Sequence, residues 1–259
     1  MKRGITFFLF LVLSFQAGWA EIYGTSPTGM LELERKHPYY LFVPAEYTAE
    51  KGWPLVVLLS RTGKKAEEIA AEWADWAKKN QVLLLVGSVF PREGTIPEET
   101  DRWWLRIKKE ATERYHISPS QILLLGVGNA GPYAAYLGLK YPEEFSATAL
   151  FRQASPGSLD KIAKASTNPR KHIPFYVAVD PDSQNCSAAE SWMAELEGKG
   201  YEVVADPLKT DEDFSAHRER MMKWFLEGTE TRSIKAEKKP KQGLKGLIKT
   251  MKKNMFGKV

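Results

Sequence analysis

From Tyr39 to Phe225 the chain alternates short apolar runs with longer amphipathic segments. Tyr39–Val43, Leu55–Leu59, Val82–Val86, Ile122–Leu125, Ala147–Phe151, Phe175–Val179 and Tyr201–Ala205 read as strands. Several are unbroken apolar runs, the pattern of strands covered on both faces. Helical spacing occupies Lys65–Asn80, Glu98–Tyr115, Pro132–Lys140, Ala188–Lys199 and Ser215–Leu226. Such alternation predicts one α/β domain, doubly wound on a mostly parallel sheet. Ligands of such sheets bind beyond the carboxyl ends of the strands, so the strand-to-helix turns are where function is sought.

The two ends depart from this pattern. Lys2 and Arg3, the apolar stretch Ile5–Phe15 and Gly18-Trp19-Ala20 before Glu21 have the order of an export signal. The apolar stretch is short for a span, which needs about 20 residues. The expected division is a signal peptide over 1–20, a domain over 21–228, and a basic linker and amphipathic helix over 229–259. The expected location is periplasmic or extracellular.

Beyond residue 242, Leu244, Leu247, Ile248, Met251 and Met255 recur at helical spacing, with Lys245, Lys249, Lys252 and Lys253 between them. That is an apolar stripe against a cationic face, as in helices that lie on membranes. A solvated tail and adhesion to an anionic membrane both remain open. Nucleic acid is not an expected partner, because no aromatic residues interleave the lysines.

Composition, at 43% hydrophobic and 27% charged over 259 residues, fits a globular domain. The net charge of +5 is unevenly placed. Residues 229–259 hold ten Lys/Arg against Glu230 and Glu237, and residues 1–20 hold Lys2 and Arg3, which leaves the body at −5. A single cysteine, Cys186, excludes an intrachain disulfide and multi-cysteine metal sites. His37, His116, His172 and His217 lack metal-ligand spacing, so no metal or cofactor is expected. Asp180 and Asp182 near Asp211 and Asp213 would suit Ca²⁺, but solvated loops explain them as well. Trp73, Trp76, Trp103 and Trp104 read as core-facing, with a sugar or aromatic site as the other reading.

The most informative turn follows Ile122–Leu125. Gly126, Gly128 and Gly131 match G-x-G-x-x-G. That dinucleotide fingerprint belongs on a domain's first strand, and here the next strand leads into Arg152-Gln153 with no acid for a ribose. An NADP-type binder is the remote alternative.

The second motif over the same turn is the nucleophile elbow, G-x-S-x-G. The run from Arg114 to Ile122, the glycines, and Leu139-Lys140-Tyr141-Pro142-Glu143-Glu144-Phe145 resemble secreted α/β-hydrolase esterases of the polyhydroxybutyrate-depolymerase and feruloyl-esterase group. Tyr39–Pro44, Trp53–Leu59, Ala71–Ala77 and Ile173–Val177 extend the resemblance over most of the body. It implies an α/β-hydrolase fold without a large cap domain.

The resemblance also implies what is missing. Gly128 stands at the nucleophile position and Ala130 replaces the next glycine. Ser60-Arg61 occupies the oxyanion turn, where that group carries His-Gly. The acid loop offers Asp180, Asp182 and Ser183. The histidine loop offers Asp211 and Asp213, with His217 several residues late. Glycine has no atom with which to attack a carbonyl. The expected function is therefore a catalytically inactive binding or scaffold module for an unknown small ligand or protein in the ancestral cleft. Ser60, Arg61, Asn129 and Ser155 are its candidate residues. The alternative is an active ester hydrolase with a displaced catalytic set, Ser60 or Ser155 attacking.

The amphipathic segment yields a direct expectation. Four lysines near an anionic surface contribute about 1 kcal/mol each. Half-buried apolar side chains add roughly 0.8 kcal/mol per buried CH2, which gives micromolar-class adhesion at low salt. In vesicle co-sedimentation the full chain binds anionic lipid, and a chain lacking residues 230–259 does not. Equal binding by both, or binding indifferent to salt, would leave the segment as a solvated tail.

Overall fold

The computed structural model describes residues 27–34, 37–61, 63–87, 89–91, 98–152, 159–184, 186–208 and 214–238, with backbone alone at 61, 163 and 230–238. In chain order the elements are β1 (Gly29–Leu33), β2 (Tyr39–Val43), β3 (Trp53–Arg61), α1 (Ala66–Lys79), β4 (Leu83–Gly87), α2 (Glu98–Arg114) and β5 (Ile117–Gly128). They continue with α3 (Gly131–Lys140), β6 (Ala147–Phe151), α4 (Leu159–Lys164), β7 (Phe175–Val179), α5 (Cys186–Gly198), β8 (Val203–Pro207) and α6 (Phe214–Lys238).

The eight strands form one sheet in the order β1-β2-β4-β3-β5-β6-β7-β8. Strand β2 runs antiparallel to both neighbours, and every other adjacent pair is parallel. The doubly wound, mostly parallel sheet expected from the pattern is present. The buried strands β4, β6 and β7 expose no residue on either face, which is why their sequences are apolar but for Thr148.

Helices cover both faces. Helices α1 and α6 pack on one, through Ile69, Trp73, Trp76, Met221, Met222 and Phe225. Helices α2, α3, α4 and α5 cover the other, through Trp104, Ile107, Leu137, Ile162 and Trp192. Helix α1 shows why its sequence is helical: apolar positions recur every three or four residues, Glu67 and Glu68 sit in the first turn, and Lys78 and Lys79 in the last. The four tryptophans singled out from the sequence are all buried, so the core reading holds and a sugar-stacking role falls away. Trp103 and Trp104 close over Gly87 at the end of β4, where a Cβ would lie 2.7 Å and 2.8 Å from the two indoles.

Two elements were not foreseen. Strand β1 is short, lies at the sheet edge and pairs only with β2. Helix α4 is six residues long, below the length at which periodicity is readable. The segment beginning at Thr229, expected to be a linker, starts as helix instead: α6 continues to Lys238. Thr229 is buried, and its hydroxyl donates to the Leu226 carbonyl at 2.8 Å. Glu, Lys, Arg and Ala favour helix in this stretch, and the single Gly228 costs only about 1 kcal/mol. The expected signal peptide and the amphipathic stripe Leu244–Met255 lie outside the described residues. Among the described residues no helix is long and apolar enough to cross a membrane.

A buried carboxylate joins α2 to α3. Asp101, 0% exposed, accepts Tyr133 Oη on one oxygen at 2.7 Å. Its other oxygen accepts Tyr136 Oη at 2.9 Å, Tyr141 Oη at 3.0 Å and Lys140 Nζ at 3.0 Å. Burial, reinforced by this carboxylate and opposed by Lys140, pushes the Tyr136 phenol up to about 12. Leaving one side of such a pair unmatched typically costs about 3–5 kcal/mol, so Asp101 fixes where α3 lies.

Candidate functional site: the turn after β5

Strand β5 ends at Gly128, two residues short of α3. Gly126 comes first in the geometry: a Cβ there would stand 2.7 Å from Ala134 Cβ and 2.8 Å from Gly131 Cα. Helix α3 is therefore seated on β5 at a distance that only glycine permits. Gly128 is the opposite case. Its φ is +59°, a left-handed conformation, yet a Cβ would meet nothing within 4 Å. The turn displays Gly128 at the strand tip, with open space where a side chain would stand. Asn129 is exposed beside it, and Ala130 is buried.

The neighbouring strand brings the second expected feature alongside. Ser60 pairs with Val127 and Arg61 with Gly128 in the β3–β5 ladder. Ser60 is only 6% exposed, which argues against it as an attacking group. Ser155, Asp211 and Asp213 lie outside the described residues.

The acid loop after β7 is occupied with its own turn. The Asp182 N–H donates to the Asp180 carboxylate at 2.9 Å, and the Ser183 N–H to the Asp180 carbonyl at 3.1 Å. The Ser183 hydroxyl is buried without a hydrogen-bond partner. Cys186, at the start of α5, has partial burial and then the carboxylates of Glu190, Asp180 and Asp182 pushing its thiol up, away from the reactive thiolate. Among the described residues no group of three His, Cys, Asp or Glu is placed to hold a metal.

All four histidines are described. His37 is exposed ahead of β2. His116 enters β5 at the end remote from Gly128, its Nδ1 2.8 Å from the Ala49 carbonyl. His172 stacks on Tyr201 with centroids 4.2 Å apart. His217, foreseen as late and on the helix, is on α6 and 1% exposed. Its Nδ1 is 2.8 Å from Asp206 Oδ2.

Sequence reasoning missed Asp206, the acid to which this histidine is bound. It sits on β8, and its carboxylate also accepts Tyr176 Oη and, at 3.2 Å to both oxygens, Arg220 Nε. A polar residue amid the apolar run Val203-Val204-Ala205 was the available signal. The arrangement contains a His–Asp pair, but in the α1/α6 layer among Met221, Met222 and Phe225. A general base must reach the proton it removes within about 3 Å, or through one water. His217 and Asp206 tie α6 to β8.

The sequence matches no protein-family model and no curated protein. Solved structures do match in shape. A Staphylococcus aureus S-formylglutathione hydrolase superposes with a TM-score of 0.59 at 10% identity, over 80% of this chain and 100% of that one. A fungal esterase from Rhizomucor miehei gives 0.59 at 11% identity, over 86% of this chain and 91% of that one. A fluorophosphonate-binding serine hydrolase of Staphylococcus aureus gives 0.59 at 11% identity, over 78% and 99%.

The fold is that of the α/β-hydrolases. The strand-to-helix turn at Gly128 lies between β5 and α3 of that fold. The dinucleotide reading loses its footing on the same ground. Four strands precede the turn, whereas the fingerprint belongs on a domain's first strand.

The Asp206 tie has a pH signature. Burial opposes its charge, but hydrogen bonds from Tyr176, His217 and Arg220 prevail and hold the carboxyl below its ordinary 3.8. A depressed folded-state pKa stabilises fully above the unfolded value and is lost as pH falls through the folded value. Asp206→Asn is therefore expected to lower the urea midpoint at about pH 7, with the gap to wild type narrowing below about pH 4. A gap of the same size at about pH 3 would contradict it.

Proposed function

We propose that this protein is an exported α/β-hydrolase-like binding or scaffold module that holds a small ligand or protein without cleaving it. It is a degenerate relative of the secreted polyhydroxybutyrate-depolymerase and feruloyl-esterase group, held at an anionic membrane surface by its C-terminal segment. The observation that carries the reading is Gly128: the elbow keeps its left-handed backbone and presents no nucleophile. Two further facts support it. No histidine occurs between β8 and α6, and the late one is enclosed by Asp206, Arg220 and the core. Loss of the serine or the histidine from a triad typically removes on the order of a millionfold of turnover.

What remains at the turn suits reception of a carbonyl or anionic group. The N-terminus of α3 follows the strand tip within two residues, and a helix N-terminus favours negative charge. An active ester hydrolase with a displaced set is the second reading, favoured by the esterases among the structural neighbours.

A serine-directed fluorophosphonate separates the two. Intact-protein mass is expected to stay unchanged on exposure, for wild type and for Gly128→Ser alike. The variant has room for its side chain but lacks a base, and its positive φ costs about 1–2 kcal/mol of stability. Stoichiometric labelling of Ser60, Ser155 or Ser183 in the wild type would establish the second reading. Labelling of Gly128→Ser alone would mean that a functional base stands at the elbow after all.

A further inference from the structure

The α1/α6 layer carries a second concentration of charge at the carboxyl ends of the strands. Arg152 is the first residue beyond β6, the strand beside β5, and its φ is +76°. A residue with a Cβ rarely occupies that region, and where one is held there the site is often functional. Its guanidinium carbon stands 5.9 Å from the centroid of the Phe214 ring. Arg218, one turn into α6, stands 5.5 Å from the same centroid and 4.7 Å from that of Trp73. Trp73 and Phe151 meet Phe214 edge-on, at 6.2 Å and 5.2 Å, so Phe214 is the ring that the two cations share within one aromatic cluster.

The neighbouring cations of α1 and α6 have carboxylates. Arg220 binds Asp206 at 3.2 Å and Lys79 binds Glu219 at 2.9 Å. Arg152 and Arg218 form no ion pair among the described residues, and the buried Nε of Arg218 has no hydrogen-bond partner. A buried guanidinium N–H left unmatched is disfavoured, and an ion or ligand bound there would satisfy it. Planar guanidinium forks match the geometry of carboxylates and phosphates. Strained backbone, an orphaned donor, two cations at 5.9 Å and 5.5 Å from one ring and a position beyond a parallel strand end are separate features of one place.

We propose that Arg152 and Arg218 form a site for an oxyanion, the carboxylate or phosphate group of a ligand, seated against Trp73 and Phe214. The site goes beyond the elbow reading and holds whether or not the elbow takes a ligand. Calorimetric titration of the full chain with inorganic phosphate and, separately, with acetate tests it, chloride keeping the ionic strength constant. Saturable binding of at least one is expected, and the arm that responds names the chemistry.

Arg218→Gln and Arg152→Gly are each expected to weaken that binding at least tenfold, and Arg218→Lys to fail to restore it. Arg152→Gly is also expected to raise the melting temperature, because glycine adopts the positive φ without strain. This variant decides the matter if Arg218→Gln does not fold. Absence of saturable binding, equal competition by chloride, or undiminished affinity in Arg152→Gly would overturn the site. So would binding that appears only with Asp211→Asn and Asp213→Asn, which would assign the arginines to the chain's own acidic segment.

Discussion

Helix α3 rests on β5 through the missing side chain of Gly126, and the elbow's shape follows from that contact. With Ala134 and Gly131 this close, the chain must leave the strand and enter the helix within two residues. So short a link forces a left-handed residue at Gly128. Asp101 secures the same helix from its other side by collecting three tyrosine hydroxyls and the Lys140 ammonium. The indole of Trp104 then donates to the Val89 carbonyl at 2.8 Å, and Phe90 meets Tyr133 at 6.4 Å, which ties the segment after β4 to the helix after the elbow. None of these contacts involves the atom that would do chemistry. The turn's shape therefore does not depend on which side chain stands at its tip.

Two carboxylates, Asp101 buried and Asp206 half-buried, show how polar groups serve this fold. Asp101 joins two helices on one face, and Asp206 joins strands β7 and β8 to α6 on the other. Each is satisfied by several donors, which makes a buried charge tolerable. His217 belongs to this second tie. An imidazole that would be a proton carrier at an exposed cleft becomes, when enclosed with Asp206 and Arg220, a spacer between sheet and helix.

Much of the architecture was legible because buried parallel strands leave little choice of residue: β4, β6 and β7 are apolar but for Thr148. The helices between them followed from spacing. Strand β1 was not legible, because an edge strand half in solvent carries only a weak alternation. The extent of α6 was hidden by its charged composition, which suits a linker as well as a helix. The glycine at the elbow tip could be read from sequence alone, since the motif fixes its place. The Asp206–His217 pairing could not. It depends on register: Tyr176 faces Val204, so its hydroxyl reaches Asp206 two residues on, on the same side of the sheet. Arg152 and Arg218 were likewise invisible as a pair, since only the tertiary packing of Phe214 brings them to one ring.

The central claim is that the elbow survives as a shape without acyl transfer. Rapid mixing of the protein with excess 4-nitrophenyl acetate measures this most directly. The account predicts no burst of nitrophenolate and a steady rate equal to that of buffer carrying the same histidine content. A burst approaching one equivalent per chain, followed by turnover above that background, would contradict it.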